Sequence, residues 1–128
     1  MKKIGLILLI LIAIGLGLYI SLVNSSKKSL TAMEYEEVDM SEVADGVYLG
    51  EVDAGLVYVK VSVTVNENKL INIRILKHKN GLGSKAESII TEMLQQNSYK
   101  VDAVSGATLS SEAIKSAVSK ALKKGYGN

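Results

Sequence analysis

The stretch "LVYVKVSVTV", Leu56 to Val65, alternates without a fault. Val57, Val59, Val61, Val63 and Val65 take one face, and Tyr58, Lys60, Ser62 and Thr64 take the other. A period of two is that of a strand with one face buried, and β-branched valine suits a pleated surface. The flanks agree. "VYLGEV" (Val47 to Val52) comes before it, across Asp53-Ala54-Gly55, which supply turn chemistry. The turn "NENK" and then "LINIRIL" (Leu70 to Leu76) come after it, with Ile71, Ile73 and Ile75 on one face. Three strands joined by tight turns predict an antiparallel meander with a single apolar face.

That face needs a cover, and two helical stripes follow. Ala86, Ile89, Ile90, Met93 and Leu94 form the first, with Ser84 and Glu87 spaced as a capping box at its start. Ile114, Ala117, Val118, Ala121 and Leu122 form the second, closed by Lys123, Lys124 and Gly125. The expected fold is α+β: an antiparallel β-meander covered by two helices, preceded by one N-terminal transmembrane helix.

Ile4 to Val23 is a run of twenty residues without a charge, behind Lys2 and Lys3. As a helix it spans about 30 Å, the thickness of a bilayer's hydrocarbon core. Signal peptides have a shorter apolar core and a small-residue cleavage site. Here the exit reads "SLVNSSKKS", with Val23 and Ser25 as only a weak cleavage pair, so residues 1–23 are read as an uncleaved signal anchor. Lys27 and Lys28 balance Lys2 and Lys3, so the positive-inside rule gives no vote; the short basic amino terminus places the remainder outside. Residues 24–44 are polar, with little periodicity, and read as a flexible tether with a root-mean-square reach of about 25 Å. Residues 45–128 form the domain.

The chain has no cysteine, which excludes disulfides, a thiol nucleophile and a lipidated cysteine. Beyond Lys3, thirteen bases meet thirteen acids, a balance that argues against nucleic acid as a partner. The signs are nevertheless segregated. Glu34 to Glu67 holds nine acids against Lys60 alone, and Lys69 to Lys124 holds ten bases against four acids. Two faces that attract each other explain this, as does a basic surface facing an anion.

"GLGSKA", Gly81 to Ala86, matches the dinucleotide fingerprint G-x-G-x-x-A, with Asp102 about twenty residues on. An antiparallel meander and too little remaining chain rule out a doubly wound fold. What survives is physical: Gly81 and Gly83 permit close approach of backbone, before a helix start with free N–H groups.

A second stretch carries chemistry: "VDAVSGATLSSEAIKSAV", Val101 to Val118. One reading is a helix cap, for which one hydroxyl, Ser110 or Ser111, suffices. The other is a phosphate site. Small residues permit close approach of a bulky group, the helix start favours an anion, and Thr108 offers an oxygen for an ester. His78, the only histidine, ends a strand beside the glycine loop and is read as structural first and cofactor contact second. Lys85 reads as a solvated face, and Tyr48, Tyr58 and Tyr99 as core or surface rather than flavin-stacking residues. No paired acid and base, and no metal-ligating cluster, stands out.

"DAVSGAT", Asp102 to Thr108, resembles the flavinylation sequence of the FMN-binding domain family. That family includes the FMN-carrying subunits of the sodium-pumping NADH:quinone reductase and of Rnf complexes, and small exported domains. The similarity extends over "DGVYLGEV", the valine strands, "HKNGLGSKAESII" and the helix after the motif, about Asp45 to Leu122. Larger members often carry a Thr-Pro-Gly-type loop where this chain has "KNGLG" and no proline at all. The resemblance implies covalent FMN on Thr108, moved from FAD by a flavin transferase. Asp102, Ser105, Gly106 and Ala107 match the rest of the motif; Leu109, Ser110, His78, Gly81 and Gly83 complete the expected cofactor-binding set. It further implies a single-pass protein of the bacterial cell membrane with its domain on the extracytoplasmic side. Such a domain passes electrons between membrane electron-transfer proteins or quinone-linked reductases and is not a stand-alone enzyme. Two alternatives stand beside it: non-covalent FMN binding, and a membrane-tethered interaction domain in which "SGATLSS" is only a cap.

Overall fold

The structure is a computed structural model that describes residues 1–79 and 81–127, with only the backbone described for Ala32 and for residues 81–84. The chain order is α1 (Lys2–Ala32), a 3-10 turn (Met40–Glu42), β1 (Gly46–Asp53), β2 (Tyr58–Asn66), β3 (Lys69–Lys79), a 3-10 helix (Gly81–Ser88), α2 (Ile89–Gln96) and α3 (Thr108–Lys123). The strands form one antiparallel sheet in the order β1-β2-β3. α3 covers β1 and β2, and α2 lies against β3. The expected meander under two helices is what forms.

Its core follows from the alternation. Val57, Val59, Val61, Val63 and Val65 are all buried, and Ile89, Met93, Ile114, Val118 and Leu122 close over them. Each such side chain taken from water contributes about 1.5–3 kcal/mol. α3 comes closest at Gly50, where an added Cβ meets the Ala117 carbonyl oxygen at 1.9 Å. Ala117 and Ala121 sit over that glycine, so the contact is backbone against backbone.

Three expectations change. On β3 the ladder shifts register twice, between the pairs Thr64–Asn72 and Val65–Leu70 and between Lys60–Lys77 and Val61–Ile75. Ile71 and Leu76 are the extra residues of these β-bulges, and they stand 55% and 46% exposed while Leu70 and Ile73 turn inward. Ile71 therefore leaves the face that strict alternation assigns to it. The helix expected to begin at Ser84 starts as a 3-10 run, with α-geometry from Ile89 onward. The Ser84 side chain of the expected capping box lies outside the described residues.

The third change concerns 24–44, expected as a flexible tether. α1 continues to Ala32, because nothing between Asn24 and Thr31 breaks a helix and its hydroxyls bond inward. Ser26 donates to the Leu22 carbonyl and Thr31 to the Lys27 carbonyl, both at 3.0 Å. Beyond Met33 the chain lies along α3. Ser116 donates to the Glu34 carbonyl, Ser119 accepts from the Glu36 N–H at 3.1 Å, and the Asp39 N–H donates to the Tyr126 hydroxyl. Met33 and Val43 are buried, and Val43 bridges to Tyr126. Glu37 meets Lys100 at 3.1 Å, so the acidic block docks on the basic one, through an exposed pair of small energetic weight.

This segment follows α3 from Ser116 to its end at Lys123, about 10 Å of helix, and goes on to Tyr126 beyond it. Excising Glu34–Glu42 leaves too little chain to seat Met33 and Val43 together. We expect a loss of about 3 kcal/mol or more, read as a lower urea midpoint. An unchanged midpoint would restore the tether.

Candidate functional site

The strand directions sort the domain into two ends. β1 runs toward α1 and finishes at Asp53, where Ser29 of α1 donates to the Ala54 carbonyl. β2 leaves from there and β3 returns to it at Lys79. The opposite end carries the β2–β3 turn, with Glu67 and Asn68 at positive φ, and the carboxy-terminal end of α3, where Ala44 N–H bonds to the Gly125 carbonyl. The "SGAT" segment lies at the first end, the anchor end, because His78 near the close of β3 contacts Ser110 in the first turn of α3.

The local geometry there begins with a turn. Ala107 N–H bonds to the Val104 carbonyl at 3.0 Å, and Gly106 in its third position has φ +80°, a value glycine adopts freely. An added Cβ at Gly106 finds nothing within 4 Å, so the space outside the turn is open. α3 then starts at Thr108, with Ala107 as its N-cap and no side chain capping it. An uncapped start leaves N–H groups of the first turn and the positive end of a sixteen-residue helix facing outward. Thr108, Ser105 and Asp102 are exposed; Ala107 is buried and Leu109 half-buried.

The hydroxyls of Ser110 and Ser111 are taken. Ser111 is fully buried and its oxygen accepts from the Val104 N–H at 3.0 Å, which ties the turn to the helix. Ser110 is buried against His78, with Oγ and Nε2 3.2 Å apart. His78 Nδ1 lies 3.4 Å from Glu87 Oε1, a loose contact. A carboxylate only accepts, so in the tautomer that serves Glu87 the Nδ1 donates and Nε2 is left to accept from the Ser110 hydroxyl. One imidazole, its side chain 7% exposed, thus joins β3, the 3-10 helix and α3. His78→Ala should cost about 1–2 kcal/mol and loosen the start of α3. Thermal unfolding and amide exchange at Ser110–Glu112 check this; equal protection in the variant would show that the imidazole holds nothing.

Beside the second turn of α3, Tyr35 donates to Glu112, whose carboxylate also meets Lys115 at 3.2 Å. Burial first, and then the Glu112 contact, hold the Tyr35 hydroxyl well above the ordinary tyrosine range. Tyr35 stacks on Tyr99, ring centroids 6.4 Å apart.

An exposed threonine whose hydroxyl makes no hydrogen bond among the described residues stands on an uncapped helix start, behind a turn of small residues, an arrangement that suits an anion. The model of the FMN-binding domain matches residues 55–123, more than half of the chain. The chain belongs to that family. No curated protein matches it.

In this FMN-binding domain the match begins after β1, yet β1 is integral to the fold, since Gly50 is where α3 seats. The expected residues do not form one uniform set. Asp102, Ser105, Gly106 and Thr108 share the open surface of the turn and helix start. Ser110 and His78 are engaged with each other behind it. Gly81 and Gly83 belong to the 3-10 helix, and their surroundings lie outside the described residues. Among the described residues the Asp102 carboxylate makes no hydrogen bond, so it does not brace the loop. Tyr48 donates to the Ala44 carbonyl at 2.7 Å, at the end away from Thr108; Tyr99 donates to the Glu36 carbonyl at 2.9 Å. Lys85 is exposed.

Two residues of this region do other work than the caps the sequence suggests for them, since Ser111 ties the turn to the helix and Glu87 meets His78. Ser111 stands three before Ile114 and seven before Val118, on the buried stripe itself, a position where a hydroxyl needs a backbone partner. Glu87 faces His78 and not the start of a helix.

At this end Thr108 is exposed, no side chain caps the first turn of α3, and an added Cβ at Gly106 meets nothing within 4 Å.

Proposed function

We propose that the domain carries FMN covalently, through a phosphodiester on Thr108, and passes electrons between membrane-associated partners. The observation that carries this is the exposed hydroxyl of Thr108 at the uncapped start of α3, in a chain of the FMN-binding domain family. In the attachment step the Thr108 oxygen bonds to the phosphorus of the FMN half of FAD. The phosphoanhydride bond to AMP breaks, AMP leaves with the bridging oxygen, and a base of the flavin transferase takes the hydroxyl proton. The small residues of the turn admit the transferase and the flavin. The first-turn N–H groups and the helix dipole stabilise the phosphate charge. When bound, FMN supplies reversible electron transfer; the chain supplies attachment and orientation.

α1 serves in this reading as an uncleaved anchor. It is long and apolar enough to cross a membrane over Lys2–Thr31, and its large apolar side chains from Ile4 to Leu22 stand exposed. The resemblance to exported members of the family supports a domain on the extracytoplasmic face of a bacterial membrane; Lys2 and Lys3 are balanced by Lys27 and Lys28 and do not decide it. The partners are then a flavin transferase and membrane electron-transfer proteins or quinone-linked reductases.

The test is production of the full chain with and without a flavin transferase. We expect yellow colour that survives denaturation, a mass increase of one FMN less water, and loss of that mass on phosphodiesterase treatment. The loaded protein should be reduced and reoxidised by native membranes. A colourless protein beside an active transferase sinks the attachment; a flavin that stays oxidised in energised membranes sinks the carrier role.

A further inference from the structure

The docking of 33–44 and the continuity of α1 fix the height of the domain above the membrane. Val23 ends the apolar run, and Ser29, which holds the β1–β2 turn, lies six residues on. Six residues of helix rise about 9 Å. The polar headgroup zone is roughly 5–8 Å deep on each side of the hydrocarbon core. At about 9 Å the anchor end of the sheet stands at the outer edge of the headgroup zone, within reach of long lysine side chains.

Four exposed lysines are presented there. Lys77 and Lys79 stand exposed on β3, their ammonium groups 5.9 and 5.8 Å from the ring centroid of Tyr58. Lys27 and Lys28 stand exposed on α1. Among the described residues none of these four makes a salt bridge. Acids share this end: Asp53 accepts from the Gly55 N–H at 3.1 Å, Glu51 stands opposite Lys60 in the strand register, Glu87 faces His78, and Asp102 is exposed beside the turn before α3. Between α1 and the β1–β2 turn lies an open recess of about 330 Å³, lined by Ser25, Lys28, Ser29, Asp53, Ala54 and Gly55.

We infer that this end of the domain rests on anionic phospholipid headgroups, with Lys27, Lys28, Lys77 and Lys79 as the contacts. The inference depends on the anchoring proposed above. Long ammonium side chains beside a half-buried tyrosine suit an interface that is apolar on one side and negatively charged at its surface. The contact holds the Thr108 end of α3 toward the bilayer, where a membrane-bound electron partner is within reach.

The experiment uses the full chain in lipid nanodiscs, in phosphatidylcholine alone or with about a third phosphatidylglycerol. Lysines are acetylated with an impermeant reagent and their rates read by mass spectrometry. Lys27, Lys28, Lys77 and Lys79 should react about threefold or more slowly in the anionic discs, while Lys69, at the other end of β3, is unchanged. About 0.5 M salt should erase the difference, since it shortens the Debye length to a few ångströms. Equal rates in both discs, for a chain that stays in them, overturn the lipid contact and leave the anchor standing. A chain that washes out of the discs rejects the anchor and the contact with it.

Discussion

Thr108→Val is expected to abolish covalent flavin while leaving the fold intact. Valine keeps the β-branched shape and removes the only oxygen through which the side chain at this position can form an ester. The stability change should fall within about 0.5 kcal/mol, because the residue is exposed and its hydroxyl makes no hydrogen bond among the described residues. Thr108→Ser retains an oxygen and should keep part of the load. Of the neighbouring hydroxyls, Ser110 and Ser111 are buried and bonded to His78 and to the Val104 N–H, which leaves Ser105 as the exposed competitor. Intact mass and peptide mapping decide the matter. A Thr108→Val protein flavinylated as fully as the parent, with the label on Ser105, would move the site three residues upstream.

Gly50→Val carries the largest expected structural effect. The first carbon added there lies 1.9 Å from the Ala117 carbonyl oxygen and 2.9 Å from the Ala121 nitrogen. Both are helix backbone, so no side chain can swing aside; α3 must lift from β1 as a body. Overpacking in a core costs about 1–3 kcal/mol and rises when backbone has to move. We expect about 3 kcal/mol or more, seen as a fall of roughly 12–24 °C in Tm for a domain of this size. A melting point within a few degrees of the parent would show that α3 is not held by that contact. Lifting α3 also disturbs its first turn, so flavin loading should fall with stability in this variant. In Thr108→Val it falls alone.

Much of the domain was legible from its periodicities. The valines of β2 face inward as their alternation requires, and both helical stripes cover them. "DAVSGAT" was legible as well, because its meaning rests on residue types in a fixed order, and the family match confirms the domain in which it sits. The hydroxyl run was only half legible. Four buried serines of α3 serve the fold: Ser110 faces His78, Ser111 holds the turn, and Ser116 and Ser119 hold the segment after α1. Thr108 alone on that helix start is left exposed and, among the described residues, unengaged.

The segment 24–44 was misread because polarity resembles disorder when its partners are unknown. Its carbonyls and amides find serines some eighty residues away, a pairing that no local pattern records. The bulges at Ile71 and Leu76 are of the same kind, since register depends on β2 as much as on β3. By itself, then, the sequence determined the valine face of β2, the order of strands and helices, and the family to which the domain belongs. The tertiary structure decided the sheet register, the seating of α3 on Gly50, the docking of the anchor's continuation, and the gathering of Thr108, His78 and the basic β3 residues at one end. The reason is physical: periodicity reports burial one element at a time, whereas these features arise from backbone groups brought together from distant parts of the chain.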